Sequence, residues 1–289
     1  MRRGRRASGI VGTVNRRALF QALLGTALAP ACAPRRAATS PGGRPRRGAE
    51  GPRSPAERGR PPTESGRTQG RLRILCIGAH PDDPETACGG TLARYAAAGH
   101  EVHVLYMTKG ELGIVGRSPE ATGAIRAAEA EKACRILGAR PHFFGRPSGA
   151  IAFDRPTADA LVASLDAMDP DVVLGHWPID TEYDHQIVAA LTVHAWLARP
   201  RRHPLYFYEV ESGTQTLGFV PQLFVEISTV LPQKLDAIRA HESQEAERRA
   251  YERHHEPMER FRAREIAGTA AEAFAVLAPE ARMASLPGL

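Results

Sequence analysis

The sequence predicts an α/β fold, a Rossmann-like, mostly parallel sheet with helices on both faces. Three observations carry that expectation. Short apolar runs alternate with Ala-rich helical patterns, glycines close the helical patterns, and two strand candidates end in clusters of histidines and carboxylates. Alternation of this kind is the signature of βαβ units, and open sheets built from them bind ligands at the carboxyl ends of their strands.

The elements are taken in chain order. Residues 72–77 read as the first strand, and residues 85–98 as a helix closed by Gly99. A strand over 101–107 precedes a helix over 124–137 that stops at Gly138. Strand candidates 142–144 and 171–176 flank a helix over 157–168. Helix formers followed by a glycine are the expected stop pattern, because glycine takes the left-handed conformation at low cost. Beyond these, 204–210 ("PLYFYEV") and 223–227 read as further strands. A helix is expected from Leu231 to about Arg249, with Pro232 suited to its first turn. Another helix follows Pro257, and the apolar run 271–277 comes last.

Charge divides the chain. Residues 1–73 hold 17 arginines, no lysine and three acids, a balance of about +14; the whole chain carries +6, so residues 74–289 carry about −8. The basic character therefore belongs to the N-terminal segment, and the net charge is no argument for a nucleic-acid partner. Residues 1–33 resemble an export signal: arginines crowd the start, Arg16-Arg17 is of twin-arginine type, and a short apolar run ("ALFQALLGTALAPA") ends among small residues. That run is too short to span a membrane. Cys32 is a candidate lipid anchor. These features predict an exported, extracytoplasmic protein. Residues 34–71, rich in Pro, Gly and Arg, are expected to be a disordered linker, since they have little apolar surface to bury. Residues 72–289 form the expected folded domain. Four cysteines without C-x-x-C spacing give neither a disulfide framework nor a thiolate metal cluster, and Cys88 reads as packing.

Residues 79–90, "AHPDDPETACGG", leave the first strand and at once present His80, Asp82 and Asp83. A solvated turn, a helix cap and a metal site all fit this stretch alone. Asp82 or Asp83 would cap a helix starting near Glu85, with Pro84 in its first turn. A second cluster favours the metal site. Residues 176–185, "HWPIDTEYDH", directly follow the strand candidate 171–176. Two strand ends in one parallel sheet would bring both clusters to one crevice. Two histidines and a carboxylate with an open position make a catalytic zinc shell. A neighbouring carboxylate can take the proton of the bound water, and another can fix a ligand histidine's tautomer.

These residues carry a resemblance to the PIG-L/LmbE-like deacetylases, which are zinc-dependent enzymes that remove acetyl groups from N-acetylglucosamine-type substrates. The matching stretches are His80-Pro81-Asp82-Asp83 with Glu85 and Gly89-Gly90, then Gly110-Glu111, then Arg126 and Glu129 before Leu137-Gly138. They continue with Trp177-Pro178 and the block ending Asp184-His185, then Ala240–Gln244 and Ala271–Phe274. The resemblance implies that His80, Asp83 and His185 bind Zn2+ and that Asp82 is the general base. It implies that Asp184 supports a catalytic histidine, that His241 lines the site, and that the substrate is a small N-acetylated sugar or sugar conjugate; Arg126 is a candidate substrate contact or else a surface-helix residue. The family's catalytic histidine has no counterpart, because its position holds Glu182. A carboxylate there would oppose an oxyanion where an imidazolium would stabilise it. Two functions follow, a metal-dependent N-deacetylase, or a catalytically weak metal-dependent sugar-binding protein on the same fold. A homo-oligomer is compatible with either. His176, at a strand end, either reaches the crevice or is a satisfied core or rim residue, and His254-His255, in a charged stretch, are read as solvated.

Overall fold

The structure is a computed structural model that describes residues 70–199, 203–245, 249, 251–277 and 285–289. The expected export segment, Cys32 and nearly all of the linker lie outside the described residues. Strands β1 (Arg73–Gly78), β2 (Glu101–Tyr106), β3 (Arg140–Phe143), β4 (Val172–His176), β5 (Leu205–Tyr208), β6 (Leu223–Glu226) and β7 (Ala271–Val276) form one seven-stranded sheet in the order β3-β2-β1-β4-β5-β7-β6. The first five run parallel, and β7 is antiparallel to both β5 and β6. The predicted Rossmann-like, mostly parallel sheet is present.

Helices α1 (Asp83–Ala97), α2 (Pro119–Leu137) and α5 (Leu231–Arg239) pack together, and α3 (Arg155–Met168) pairs with α4 (Tyr183–Ala198). Side chains alternate along each strand, so one sheet feeds two cores. Ile74 and Cys76 of β1 join the core beneath α1, α2 and α5, whereas Leu75 and Ile77 join the core beneath α3 and α4. That two-sided burial is why the central strands read as continuous apolar runs. Cys88 sits in the first core with its sulfur 3.4 Å from that of Cys76, so it is a packing residue as expected.

Caps explain most boundary shifts. Helix α2 starts at Pro119, not Ala124, because Ser118 accepts from the Ala121 N–H. Helix α3 starts at Arg155, where Asp154 accepts from the Thr157 N–H. The helix expected over 231–249 stops at Arg239 for a tertiary reason. Glu129 on α2 accepts from the backbone N–H and hydroxyl of Ser243, and His241 is buried against Glu85. A π-turn, Tyr251–His255, then leads into α6 (Glu256–Arg262). No described helix is long and apolar enough to cross a membrane.

The strand order reverses between β1 and β4, whose neighbours are β2 on one side and β5 on the other. The crevice at such a switch point is the expected ligand site of an open parallel sheet. Both His/Asp clusters follow these two strands.

Candidate active site

Asp82 occupies the N-cap position of α1, but its side chain makes no cap bond. Its φ of 111° is rare for a residue with a side chain, a conformation held only where the surroundings fix it. Those surroundings are Arg126, whose guanidinium donates to Asp82 Oδ2 at 2.9 Å and also to the Pro81 and Gly110 carbonyls. Gly110 is needed for that approach, since a Cβ there would sit 2.3 Å from Arg126 Nη1. The Gly110 motif and Arg126 thus serve one purpose, which is to hold Asp82. Burial raises the pKa of Asp82, with Asp83 adding to the rise and Arg126 opposing it. A carboxylate so placed is suited to accept a proton.

Asp83 is the hub. Its Oδ2 accepts from the His80 N–H at 2.7 Å and lies 3.5 Å from His80 Nδ1 and 3.3 Å from His176 Nε2. Its Oδ1 lies 3.2 Å from His185 Nε2. Burial would raise its pKa, but the His185 charge and the hydrogen bonds from His185 and His80 hold it well below the usual carboxylate range. Each of the two proposed ligand histidines is backed by its own carboxylate. Asp184 Oδ2 is 3.1 Å from His80 Nε2, and Asp180 Oδ2 is 3.4 Å from His185 Nδ1. Burial would lower the pKa of His80, but Asp184 and Asp83 outweigh it and lift it to about 9.

This pattern fits a divalent cation. Donor atoms bound at 2.0–2.2 Å in a tetrahedron stand about 3.4 Å apart. The His185–Asp83 spacing, through Oδ1, and the Asp83–His80 spacing, through Oδ2, are each of that size. A carboxylate behind each imidazole fixes the nitrogen that faces the ion. His80, Asp83 and His185 all line one cavity of about 530 Å3, and the sets of donor atoms within 4.8 Å of one another are His80–Glu182–His185 and Asp83–His176–His185.

Other expected residues fall differently. Asp184 supports His80, not residue 182, and also accepts from the Gly149 N–H. Glu182 lines the cavity and caps α4 through the His185 N–H. Arg126 also lines the cavity but is engaged with Asp82. His241 is fully buried, 3.4 Å from Glu85 Oε1, and is not among the cavity-lining residues. His176 is fully buried, and its Nε2 accepts from the Ala79 N–H at 3.0 Å. His255, expected to be solvated, is buried, accepts from the Glu211 N–H and lines the cavity; the π-turn rotates it inward. Sequence reasoning missed Asp180, whose signal was its place inside the second cluster, and Gln215, for which there was none.

A concavity of about 570 Å3 beside α5 is comparable in size, but Leu231, Leu235, Ile238 and ion-paired surface charges line it. Chemistry, not volume, distinguishes the site.

Fold and site define an α/β protein with a His/carboxylate metal-type centre. A profile of the PIG-L family, described as GlcNAc-PI de-N-acetylase, matches residues 75–196. A diacetylchitobiose deacetylase of Thermococcus kodakarensis is 31% identical over 188 residues, covering 60% of this chain and 70% of that protein. A 1D-myo-inositol 2-acetamido-2-deoxy-alpha-D-glucopyranoside deacetylase of Actinosynnema mirum is 29% identical over 227 residues, covering 60% and 80%. The chain belongs to the PIG-L family. Among solved structures, a 4-carboxy-2-hydroxymuconate hydratase of Pseudomonas putida matches with a TM-score of 0.65 and 23% identity, covering 73% of this chain and 98% of that one. The fold therefore hosts more than one reaction, and the site has to choose between them.

Proposed function

We propose that the protein is a metal-dependent amide hydrolase that removes the acetyl group from an N-acetylated sugar or sugar conjugate. The deacetylase relatives support the reaction class. The observation that carries it is the split between adjacent carboxylates, with Asp83 facing three imidazoles and Asp82 turned aside to Arg126 at the cavity wall.

His80, Asp83 and His185 would hold the ion, and zinc suits an imidazole and carboxylate donor set. Bound there, zinc supplies Lewis acidity toward the acetyl carbonyl and lowers the pKa of water. Asp82 accepts the proton of the attacking water. Arg126 keeps Asp82 oriented and charged between turnovers. As the carbon–nitrogen bond breaks, Asp82 returns that proton to the leaving amine, and acetate departs. Ser148, Gln215 and Gln244 on the cavity wall offer hydrogen-bonding groups to sugar hydroxyls.

Acetate release from N-acetylglucosamine and its conjugates tests this reading. Activity should vanish on chelation and return with zinc. Saturable sugar binding without acetate release would support the weak-enzyme, sugar-binding alternative. We also propose export, on the arginine-rich start and the short apolar run. An N-terminus beginning at or just beyond Cys32 in protein from native cells is the expected result, and a lipid mass on Cys32 would establish the anchor.

A further inference from the structure

Residue 182 stands at the N-cap of α4, where short side chains such as Ser, Thr, Asp and Asn are preferred. Glutamate is an unusual choice. Its longer side chain folds back, and Oε2 accepts from the His185 N–H at 2.7 Å. This bond fixes the carboxylate over the first turn, so the same oxygen lies 3.9 Å from His185 Nε2. Its side chain is 33% exposed, on the cavity side of the cluster.

Two trios of side chains bring their donor atoms within 4.8 Å of one another, His80–Glu182–His185 and Asp83–His176–His185. They share His185. In the second trio, His176 Nε2 already accepts from the Ala79 N–H, which occupies its single lone pair. In the first, the cap bond uses one of about four lone-pair sites of the Glu182 carboxylate, leaving capacity for a cation. Donors around one ion stand from about 3.4 Å apart to about 4.2 Å when opposed. The 3.9 Å spacing falls inside that interval.

On the reading that this site holds a metal, we infer that Glu182 is a further ligand of that ion, which is then held by His80, His185 and two carboxylates, Asp83 and Glu182. The two carboxylates match the charge of a divalent cation. The added oxygen donor also makes the set more hospitable to Mn2+ than two imidazoles and one carboxylate would be.

The test uses the full chain, stripped of metal, with zinc and Mn2+ affinities measured by competition against chromophoric chelators. Glu182→Gln keeps the shape and an accepting oxygen but loses the charge. Glu182→Ser keeps a favoured cap and is too short to reach the ion. Both metal-free variants should unfold near the wild-type temperature. Each should lose at least about tenfold in zinc affinity, with a larger proportional loss for Mn2+. The visible spectrum of the Co2+-substituted protein should change in both. Unchanged affinities and spectra in these variants, with binding abolished in His185→Ala, would overturn the inference and leave the metal-site reading intact. A wild-type protein that binds neither metal would overturn both.

Discussion

Helix α1 lies between two clusters of buried charge, and they are built on opposite terms. At its kink, Cys88 leaves helical geometry and frees the Gly90 and Thr91 N–H groups, which donate to Glu272. Glu272 also takes the Thr91 hydroxyl, and Lys234 Nζ bridges Glu272 at 2.6 Å and Glu259 at 2.5 Å. Tyr251 donates to the other Glu259 oxygen. Gly90 is required there, since a Cβ would sit 2.7 Å from Ile227. At its first turn, by contrast, Asp83 faces three imidazoles, His176 Nδ1 has no partner, and a cavity opens alongside. A fully satisfied network fixes a fold. One left short of partners beside a cavity is arranged for something that binds, and the Gly-Gly of the first motif belongs to the structural cluster rather than to the chemistry.

The sharpest way to break this comparison is Asp82→Asn. The amide cannot accept the water proton, so turnover should fall by about a hundred- to ten-thousandfold with the metal content unchanged. Asp83→Asn should lose metal as well. Identical behaviour of the two variants, by metal analysis and acetate assay, would dissolve the proposed division between the carboxylates. The structural cluster should respond in the opposite currency. Lys234→Met leaves two buried carboxylates uncompensated and should cost about 3–5 kcal/mol of stability in urea unfolding. Adding Glu259→Gln should recover part of that loss. Zinc affinity of the folded Lys234→Met protein should match wild type.

What was legible in the sequence was what is local. His80, Asp82 and Asp83 share one loop, and Asp184 and His185 share one helix turn, each at the end of an apolar strand, so topology alone joins them. The fold class followed from the same alternation of strands and helices. Illegible were the pairings that only packing creates. Lys234 meets Glu259 and Glu272 across 25 and 38 residues, with no periodicity to announce it. The exchange of roles at Asp184 was equally hidden. The motif marks it as the partner of residue 182, yet the start of α4 turns its carboxylate to His80. The break after Arg239 shows tertiary contacts overriding a helical pattern: the Ser243–Glu129 bonds and the burial of His241 decide where the chain turns.

The smallest expected effect concerns His255, which the sequence placed in solvent and the structure places on the cavity wall. Its Nε2 accepts from the Glu211 N–H at 3.0 Å, and its ring stacks on Tyr251. Burial, reinforced by the nearby Lys234 and His254 charges and opposed only by Asp83, pushes its pKa down to about 3 from an ordinary 6.5. The sign follows from linkage. Between those values the unfolded chain takes a proton that the folded protein refuses, so the unfolded state binds more protons and stability falls as pH drops. One proton contributes at most about 1.4 kcal/mol per pH unit, and because the unfolded imidazole is only half protonated at pH 6.5 the difference between pH 6.5 and 5 is about 1.6 kcal/mol. His255→Gln keeps an acceptor for the Glu211 N–H but has no proton to refuse. Urea unfolding of metal-free wild type and variant should therefore show the wild type losing about 1.6 kcal/mol more on acidification over that range. His80 and His185 titrate alike in both proteins and cancel in the difference. Parallel pH profiles would place the imidazole in water after all, and would return the cavity wall at this point to the solvated surface that the sequence suggested.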